Sequence, residues 1–310
     1  MNQPRAVIRV PVTTIWTSPD APRVLDAPAL SEPPDIALWM SLLDVDARLD
    51  LLGRVATQAI IGEPVVIVAE RSGWAEVRLP LQPTESDSIG YPGWVPVSHL
   101  APLHEMAPSA EEACISERLV LAGDHPDRAK VSSISVLSMG TQLAVIETSS
   151  DRVGLASPDA HLTLWVDANA VIFHHHAESE RLQMPAADAN IALARQAEKF
   201  LGLPYLWGGL SGWGVDCSGL VHLAARSLGS VVSRDSGDQR RCAPTVVGEN
   251  PIPDEVLFFR YRNESQRIHH VGIALNESTM IHAPRTGRVV EVLPLTTSPY
   301  AEELERSTAR

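Results

Sequence analysis

A change of texture at Met184-Pro185 divides this chain into two parts that cannot share one architecture. Upstream, short apolar and β-branched runs alternate with Gly, Pro and Asp turns, the pattern of small closed β-structures. Downstream, strong helix formers come first and strand-like runs follow, the order of an α+β domain. At 310 residues the chain has room for two domains or three small ones.

In the upstream part Ala6 to Val12 and Pro64 to Ala69 read as strands, and Trp74 to Leu79 alternates apolar with polar. Gly73-Trp74 and Gly93-Trp94 each set an aromatic just after a turn glycine. Between these runs Asp35 to Ala59 reads as helical, because Leu38, Leu42, Val45, Leu49 and Leu52 recur at three- and four-residue steps. A helical insertion (about 35–59) inside a first barrel over 1–108 is the expectation. A second barrel over 109–178 is expected from Leu119–Leu121, Val131–Leu137, Gln142–Thr148, Arg152–Ala156 and Leu162–Val166. The two halves do not align convincingly residue by residue. His174-His175-His176 has no Cys or carboxylate at ligand spacing and reads as a linker, not a metal tract.

The C-terminal domain is expected over 186–298. Ala186 to Leu201 forms one helix, with Asp188 near its start and Gly202 past its end, and Cys217 to Leu228 forms a second, closed by Gly229. Strands follow at Glu255–Tyr261, His270–Leu275, Met280–Ala283 and Val289–Val292. The charged segment 299–310 reads as a frayed helix or tail.

Composition narrows the partners. Lys and Arg total 25 against 38 Asp and Glu, for a net charge of −13, so a phosphate backbone is repelled and no nucleic-acid partner is expected. No run approaches the roughly 18 apolar residues of a membrane span. Arg9 and Pro11 interrupt the first apolar run, so a cytoplasmic location is expected. Cys114, Cys217 and Cys242 fit neither a disulfide framework nor a zinc pattern; no metal or other cofactor is expected, and one thiol is a candidate nucleophile.

The densest chemical signal is Leu203 to Leu220, LPYLWGGLSGWGVDCSGL, a glycine-rich turning loop that empties into Cys217 at a helix start. A thiol there meets unsatisfied N–H groups and the positive end of the helix dipole, which predicts a lowered pKa. A base is needed, and His269-His270 offers one. Neighbouring strand residues face opposite ways, so only one of the two can serve. His282 lies twelve residues past His270, across an Asn276-Glu277 turn, and can fix the tautomer of its ring.

These residues resemble the NlpC-type papain-like cysteine peptidases of bacterial cell-wall peptides. The likeness rests on Asp216-Cys217-Ser218-Gly219, His270-Val271-Gly272-Ile273, His282-Ala283-Pro284 and the preceding strand Leu257-Phe258-Phe259. It implies Cys217 as nucleophile, His270 as general base and His282 as orienting residue. It extends to the subgroup with two SH3-like barrels before the peptidase, which implies a γ-D-glutamyl-L-diamino acid endopeptidase in cell-wall peptide recycling. Its substrate is then a murein peptide with a free N-terminal L-Ala. By position Asp216, Ser218 and Ser236 match the amine pocket, Tyr205 and Trp207 the cleft, with Tyr205 a donor to the oxyanion. Tyr91 matches a wall residue from the first barrel; Glu63 is a weaker match there and otherwise a solvated turn residue. One departure stands out: the family's Gly-Asp before its apolar strand is Asp254-Glu255 in this chain, which removes the glycine of that turn. Competing readings are a catalytically silent peptidoglycan-binding protein and an acyltransferase or amidase on the same scaffold.

Overall fold

The computed structural model describes residues 5–103, 111–159, 162–175, 193–243, 250–260, 267–297 and 304–308. Strands β1 (Arg5–Ile8), β2 (Val12–Trp16), β3 (Val55–Ile60), β4 (Pro64–Arg71), β5 (Trp74–Leu79), β6 (Tyr91–Pro96) and β7 (Leu100–Pro102) form one antiparallel sheet. Its order is β3-β2-β6-β5-β4-β1-β7. Strands β8 (Glu111–Ile115), β9 (Leu119–Gly123), β10 (Ile134–Ser138), β11 (Gln142–Thr148), β12 (Arg152–Ala156), β13 (Thr163–Asp167) and β14 (Val171–His175) form another, ordered β10-β9-β13-β12-β11-β8-β14.

The two orders are identical when each strand is shifted by seven. The likeness extends to details: register shifts between Ile67 and Ala69 and between Val145 and Glu147 fall in equivalent hairpins. Gly62 and Gly140, at φ +84° and +83°, make the same turn between the third and fourth strands. The repeat that sequence could not align is therefore present in backbone topology.

The helical insertion is shorter than expected. Helices α1 (Ala27–Leu30), α2 (Ile36–Leu42) and α3 (Val45–Leu49) precede β3, so Val55 to Ala59 is strand, not helix. Asp35 and Asp44 start α2 and α3 by accepting the N–H groups of Leu38 and Ala47. Leu38, Leu42, Val45, Leu49 and Leu52, whose spacing suggested the helix, are all exposed. Burial falls on Ile36, Trp39, Leu43 and Leu51, and on Asp26, which accepts from Trp39 Nε1 and from Arg23.

His174 and His175 also depart from expectation. They pair with Glu112 and Glu111 as the last strand of the second sheet, so they are not linker; His176 lies outside the described residues.

In the C-terminal part come α4 (Leu193–Glu198), the small hairpin β15 (Leu210–Ser211) and β16 (Gly214–Val215), α5 (Cys217–Ser227) and α6 (Ser236–Cys242). Then β17 (Glu255–Arg260), β18 (Ile268–Ala274), β19 (Thr279–His282), β20 (Glu291–Pro294) and β21 (Leu304–Thr308) make a sheet ordered β20-β19-β18-β17-β21. Every residue of α5 after Cys217 is buried, its apolar side chains sharing a core with Val256, Phe258, Val271 and Ile273.

Of the first expected helix only Leu193 onward is described; 186–192, with Asp188, lie outside the described residues. The expected tail is not a tail: Leu304 to Thr308 pairs with the whole of β17 up to Phe259. An edge strand with free N–H and C=O groups is satisfied by such a partner. The missing glycine before β17 is compensated as well. Asp254 itself takes φ +71°, a conformation Asp tolerates better than most residues, and its Oδ1 accepts the Ala194 N–H at 2.7 Å. No helix among the described residues is long and apolar enough to cross a membrane.

Candidate active site

The loop before α5 is built for close approach. A Cβ on Gly219 would lie 2.3 Å from the Gly209 carbonyl oxygen, so only glycine lets the loop lie against the first turn of the helix. Asp216 caps that turn, its Oδ1 accepting the Gly219 N–H at 2.7 Å. Cys217 follows, half-buried, with the N–H groups of Val271 and Ser218 at its sulfur. Strand β19 pairs with β18 only at Ile273 and Ala274, which leaves the Val271 N–H outside that ladder and within reach of the thiol.

The thiol does not have the lowered pKa expected from the helix tip. Burial pushes it up to about 12, and the charge of Asp216 adds to the rise; the N–H groups of Val271 and Ser218 oppose it and lose. Desolvation and the adjacent carboxylate outweigh the helix tip.

His270 is buried on β18, and His269 beside it is half-buried, as strand alternation predicts. His270 Nε2 lies 2.7 Å from His282 Nδ1, with the rings edge to face, so proton exchange with a thiol falls to His270 Nδ1. Gly272 permits this spacing: a Cβ there would come within 3.3 Å of His282 Cβ and 3.1 Å of the Ile281 carbonyl oxygen. His282 Nε2 in turn faces Glu291 at 3.6 Å. Burial holds His270 well below the ordinary histidine range, with His282 and His269 adding to it, and brings His282 down to about 4 despite Glu291. Thiol and both imidazoles are thus neutral near pH 7.

The expected amine-pocket residues divide. Asp216 is occupied by Arg234, a residue the sequence reading passed over: Nη1 reaches Oδ1 at 3.0 Å and Nη2 reaches Oδ2 at 2.7 Å. Ser218 is buried in the same group, donating to Asp216 and accepting from Arg234 Nη1 at 3.0 Å. Glu63 is neither solvated nor at the cleft. It is fully buried, its Oε2 2.8 Å from Arg226 Nη1 and its Oε1 accepting from Gln82.

Another carboxylate stands open instead. Asp235, also missed, keeps an exposed carboxylate although protein surrounds it on most sides, and this partial burial raises its pKa against the pull of Arg234. Tyr91 of β6 donates to it, its hydroxyl 3.1 and 3.2 Å from the two oxygens. Ser236 follows at the start of α6, half-buried. The segment before Tyr91 is clasped to α6, since Asp238 Oδ2 accepts from Thr84 Oγ1 and the Glu85 N–H and Arg241 bridges Asp238 and Glu85.

Tyr205 is buried in the core under α5, whereas Trp207 is exposed and tied to the first sheet through Nε1 and the Val55 carbonyl. Among the described residues no cluster of three or more His, Cys, Asp or Glu side chains is arranged to hold a metal ion.

Residues 202–308 match the NlpC/P60 family, and residues 52–100 match the bacterial dipeptidyl-peptidase Sh3 domain. A γ-D-glutamyl-L-lysine dipeptidyl-peptidase of Bacillus cereus is 33% identical over 96% of this chain and 89% of its own length. Its counterpart in Bacillus subtilis is 32% identical over 94% of each. A crystal structure of an NlpC/P60 family protein from Bacillus cereus superposes with a TM-score of 0.89 at 30% identity, covering 98% of this chain and 99% of the other.

Proposed function

The chain belongs to the NlpC/P60 family of cysteine peptidases, with an SH3-like β-rich region before a papain-like α+β domain, and from that premise we propose that it hydrolyses the γ-D-glutamyl-L-diamino acid bond of murein peptides bearing a free N-terminal L-Ala. The observation that carries the reading is the Cys217 thiol at the head of α5, against the strand whose His270 is bonded to His282.

Because thiol and imidazole rest neutral, the proton moves as the bond forms. His270 takes the Cys217 proton while the sulfur attacks the γ-carbonyl carbon, and His282 holds the ring that becomes positive. His270 then gives the proton to the departing amine of the diamino acid. Water, deprotonated by the same imidazole, hydrolyses the thioester and releases L-Ala-γ-D-Glu.

The free amine is read by Asp235 and Tyr91. An ammonium leaving water needs a carboxylate that is not already neutralised, and Asp235 meets that condition where Asp216, gripped by Arg234, does not. Ser236 lies beside it and Tyr91 closes the end, so the distance from anchor to thiol measures a dipeptide. Trp207 forms the rim. The similarity to two γ-D-glutamyl-L-lysine dipeptidyl-peptidases supports this assignment. Peptides with a free amine are fragments already released from the wall, which supports a role in recycling.

The test is mass spectrometry of products from L-Ala-γ-D-Glu-L-Lys and its diaminopimelate analogue. Release of L-Ala-γ-D-Glu is expected from the wild type, loss of at least about a thousandfold from Cys217→Ala, and a large loss when the substrate's amine is acetylated. Dipeptide release by Cys217→Ala at the wild-type rate overturns the mechanism.

A further inference from the structure

The nucleophile's helix is held at both ends by the first seven-stranded unit. At its C-terminal end Arg226 pairs with Glu63 at 2.8 Å. At its N-terminal end Asp216 is gripped by Arg234, whose Nε donates at 2.7 Å to Thr57 Oγ1 on β3 and whose main-chain N–H donates to the Pro83 carbonyl at 2.9 Å. One buried path joins the two ends. Thr57 donates to Gln82 Oε1 at 2.7 Å, and Gln82 Nε2 donates to Glu63 Oε1 at 2.9 Å. Arg234 can only donate and a carboxylate can only accept, so every bond along the path has one fixed direction.

On α5 the polar residues facing this path are Ser218, His222 and Arg226, spaced by four and buried in an otherwise largely apolar helix. A buried charge is an expensive way to hold a helix unless its placement matters. Arg234 is 1% exposed and four of its bonds converge on Asp216, Ser218 and Thr57. Asp216 is the cap of α5 and the immediate neighbour of Cys217, so its position sets the entry of the thiol into the site.

We propose that Arg234, oriented by Thr57, is a positioning residue for the nucleophile: the first unit fixes the cap of α5, and through it the placement of Cys217, from a strand 160 residues earlier in the chain. This goes beyond a wall that measures substrate length, and it rests on the reading of Cys217 as nucleophile. The planar guanidinium is essential to it. A lysine keeps the charge but cannot serve both oxygens of Asp216 and the Thr57 hydroxyl together. The arrangement also places a positive charge against Asp216, which limits how far that carboxylate opposes ionisation of the thiol.

The experiment uses full-length Thr57→Val, Thr57→Ser and Arg234→Lys with the L-Ala-γ-D-Glu-L-Lys peptide, with kcat expressed per folded molecule. Thr57→Val and Arg234→Lys are expected to lose about tenfold in kcat with KM changed by less than about twofold, and Thr57→Ser to recover most of the loss. A purely structural role lowers the unfolding temperature and leaves kcat per folded molecule intact. Both variants at wild-type kcat, or Thr57→Ser as impaired as Thr57→Val, overturn the proposal. Should Thr57→Val not fold, Arg234→Lys and Thr57→Ala decide by the same criterion.

A substrate-free arm separates this from the peptidase reading. Alkylation of Cys217 by iodoacetamide, read by mass spectrometry against the exposed Cys242, is expected to slow severalfold in the variants. If the wild type cleaves no γ-glutamyl peptide yet its variants show this slowing, the peptidase reading fails and the positioning role stands. Unchanged alkylation together with unchanged kcat removes the role and leaves the peptidase reading in place.

Discussion

At the turn between its third and fourth strands the first barrel carries Ile61-Gly62-Glu63, and the second carries Met139-Gly140-Thr141, with both glycines at nearly the same positive φ. Both turns approach α5. From one, Glu63 sends a carboxylate to Arg226; at the other, a Cβ on Gly140 would meet Leu223 at 3.0 Å and Arg226 at 3.4 Å, so bare glycine backbone packs on the helix. The same topology thus meets the same helix in two ways. The first barrel supplies Thr57, Gln82, Glu63 and Tyr91, side chains with chemistry. The second docks through main-chain atoms, small groups and one surface ion pair: Lys199 Nζ reaches the Ser116 carbonyl at 2.7 Å and Glu117 Oε1 at 2.8 Å, and the Gly212 N–H reaches Ser138 Oγ at 2.9 Å. A duplicated scaffold leaves one copy free to become part of a site while the other remains a support.

The comparison breaks most sharply at Glu63. Glu63→Ala strands Arg226 as an uncompensated buried charge, with an expected loss of about 3–5 kcal/mol in urea denaturation. Thr141 occupies the equivalent place in the second barrel and is also fully buried, but its hydroxyl has no hydrogen bond. Thr141→Val is therefore expected to change stability by less than about 1 kcal/mol. Equal losses at the two positions would show that both turns are simply core.

The second expectation concerns acid. His222, His270 and His282 are buried and neutral; burial is the first cause in each, taking His222 to about 3 and His282 to about 4, with His270 well below its usual range. Their folded pKa values lie below the unfolded one, so below about pH 6.5 the unfolded chain binds protons that the native chain refuses. Stability is thus fully present above the unfolded pKa and falls as the pH drops toward 4, with a slope approaching about 1.4 kcal/mol per pH unit for each histidine. Urea midpoints measured from pH 7 to pH 4 check this. His222 faces the polar path from the first barrel, so His222→Gln is expected to flatten the slope by one proton. A slope unchanged in that variant refutes the neutral buried His222.

Much of this was legible in the sequence, for reasons that individual residues make plain. Strand β5 falls at the residues expected because period-two alternation is a local property, and β11 and β12 because short apolar runs bounded by turn residues are local too. Cys217 at a helix start and His270 on the inward face of a strand were legible for the same reason. What escaped notice depends on partners far away in the chain. Arg234 bonds Thr57 across 177 residues and Glu63 meets Arg226 across 163, and no periodicity announces such pairs. One sign was available: Ser218, His222 and Arg226 recur every four residues along an otherwise largely apolar helix, which implies a polar partner surface. The thiol's raised pKa escaped because the helix dipole is visible in a sequence and desolvation is not. The carboxylate of Asp216 was visible but its guanidinium partner was not.

A smaller effect sharpens the contrast between the barrels at the substrate end. Tyr91 opens β6, and the strand registers place Leu162, just before β13, at the equivalent position in the second barrel. Tyr91→Phe removes the donor to Asp235 and is expected to raise KM about tenfold for the free-amine peptide, roughly the worth of a hydrogen bond to a charged group. The KM of an acetylated peptide, which brings no ammonium, is expected to move little. Leu162→Ala is expected to leave both unchanged. If Tyr91→Phe affects the two peptides alike, the tyrosine packs the wall without helping to read the amine.

The smallest effect is expected in the helices that only the first barrel carries between its second and third strands. Leu42 is 47% exposed on α2, where its spacing had suggested a core face, while Trp39 on the same helix is fully buried with its Nε1 on Asp26. The apolar positions recur at helical steps on both faces, so periodicity alone could not say which one is covered. Capping by Asp35 and the anchor at Trp39 define the helix without Leu42. Leu42→Gln is accordingly expected to change stability by no more than about 0.5 kcal/mol in urea denaturation, as surface substitutions usually do. A loss of several kcal/mol would mean that something covers this face in solution, and the insertion would then be a second way in which the first barrel has departed from its twin.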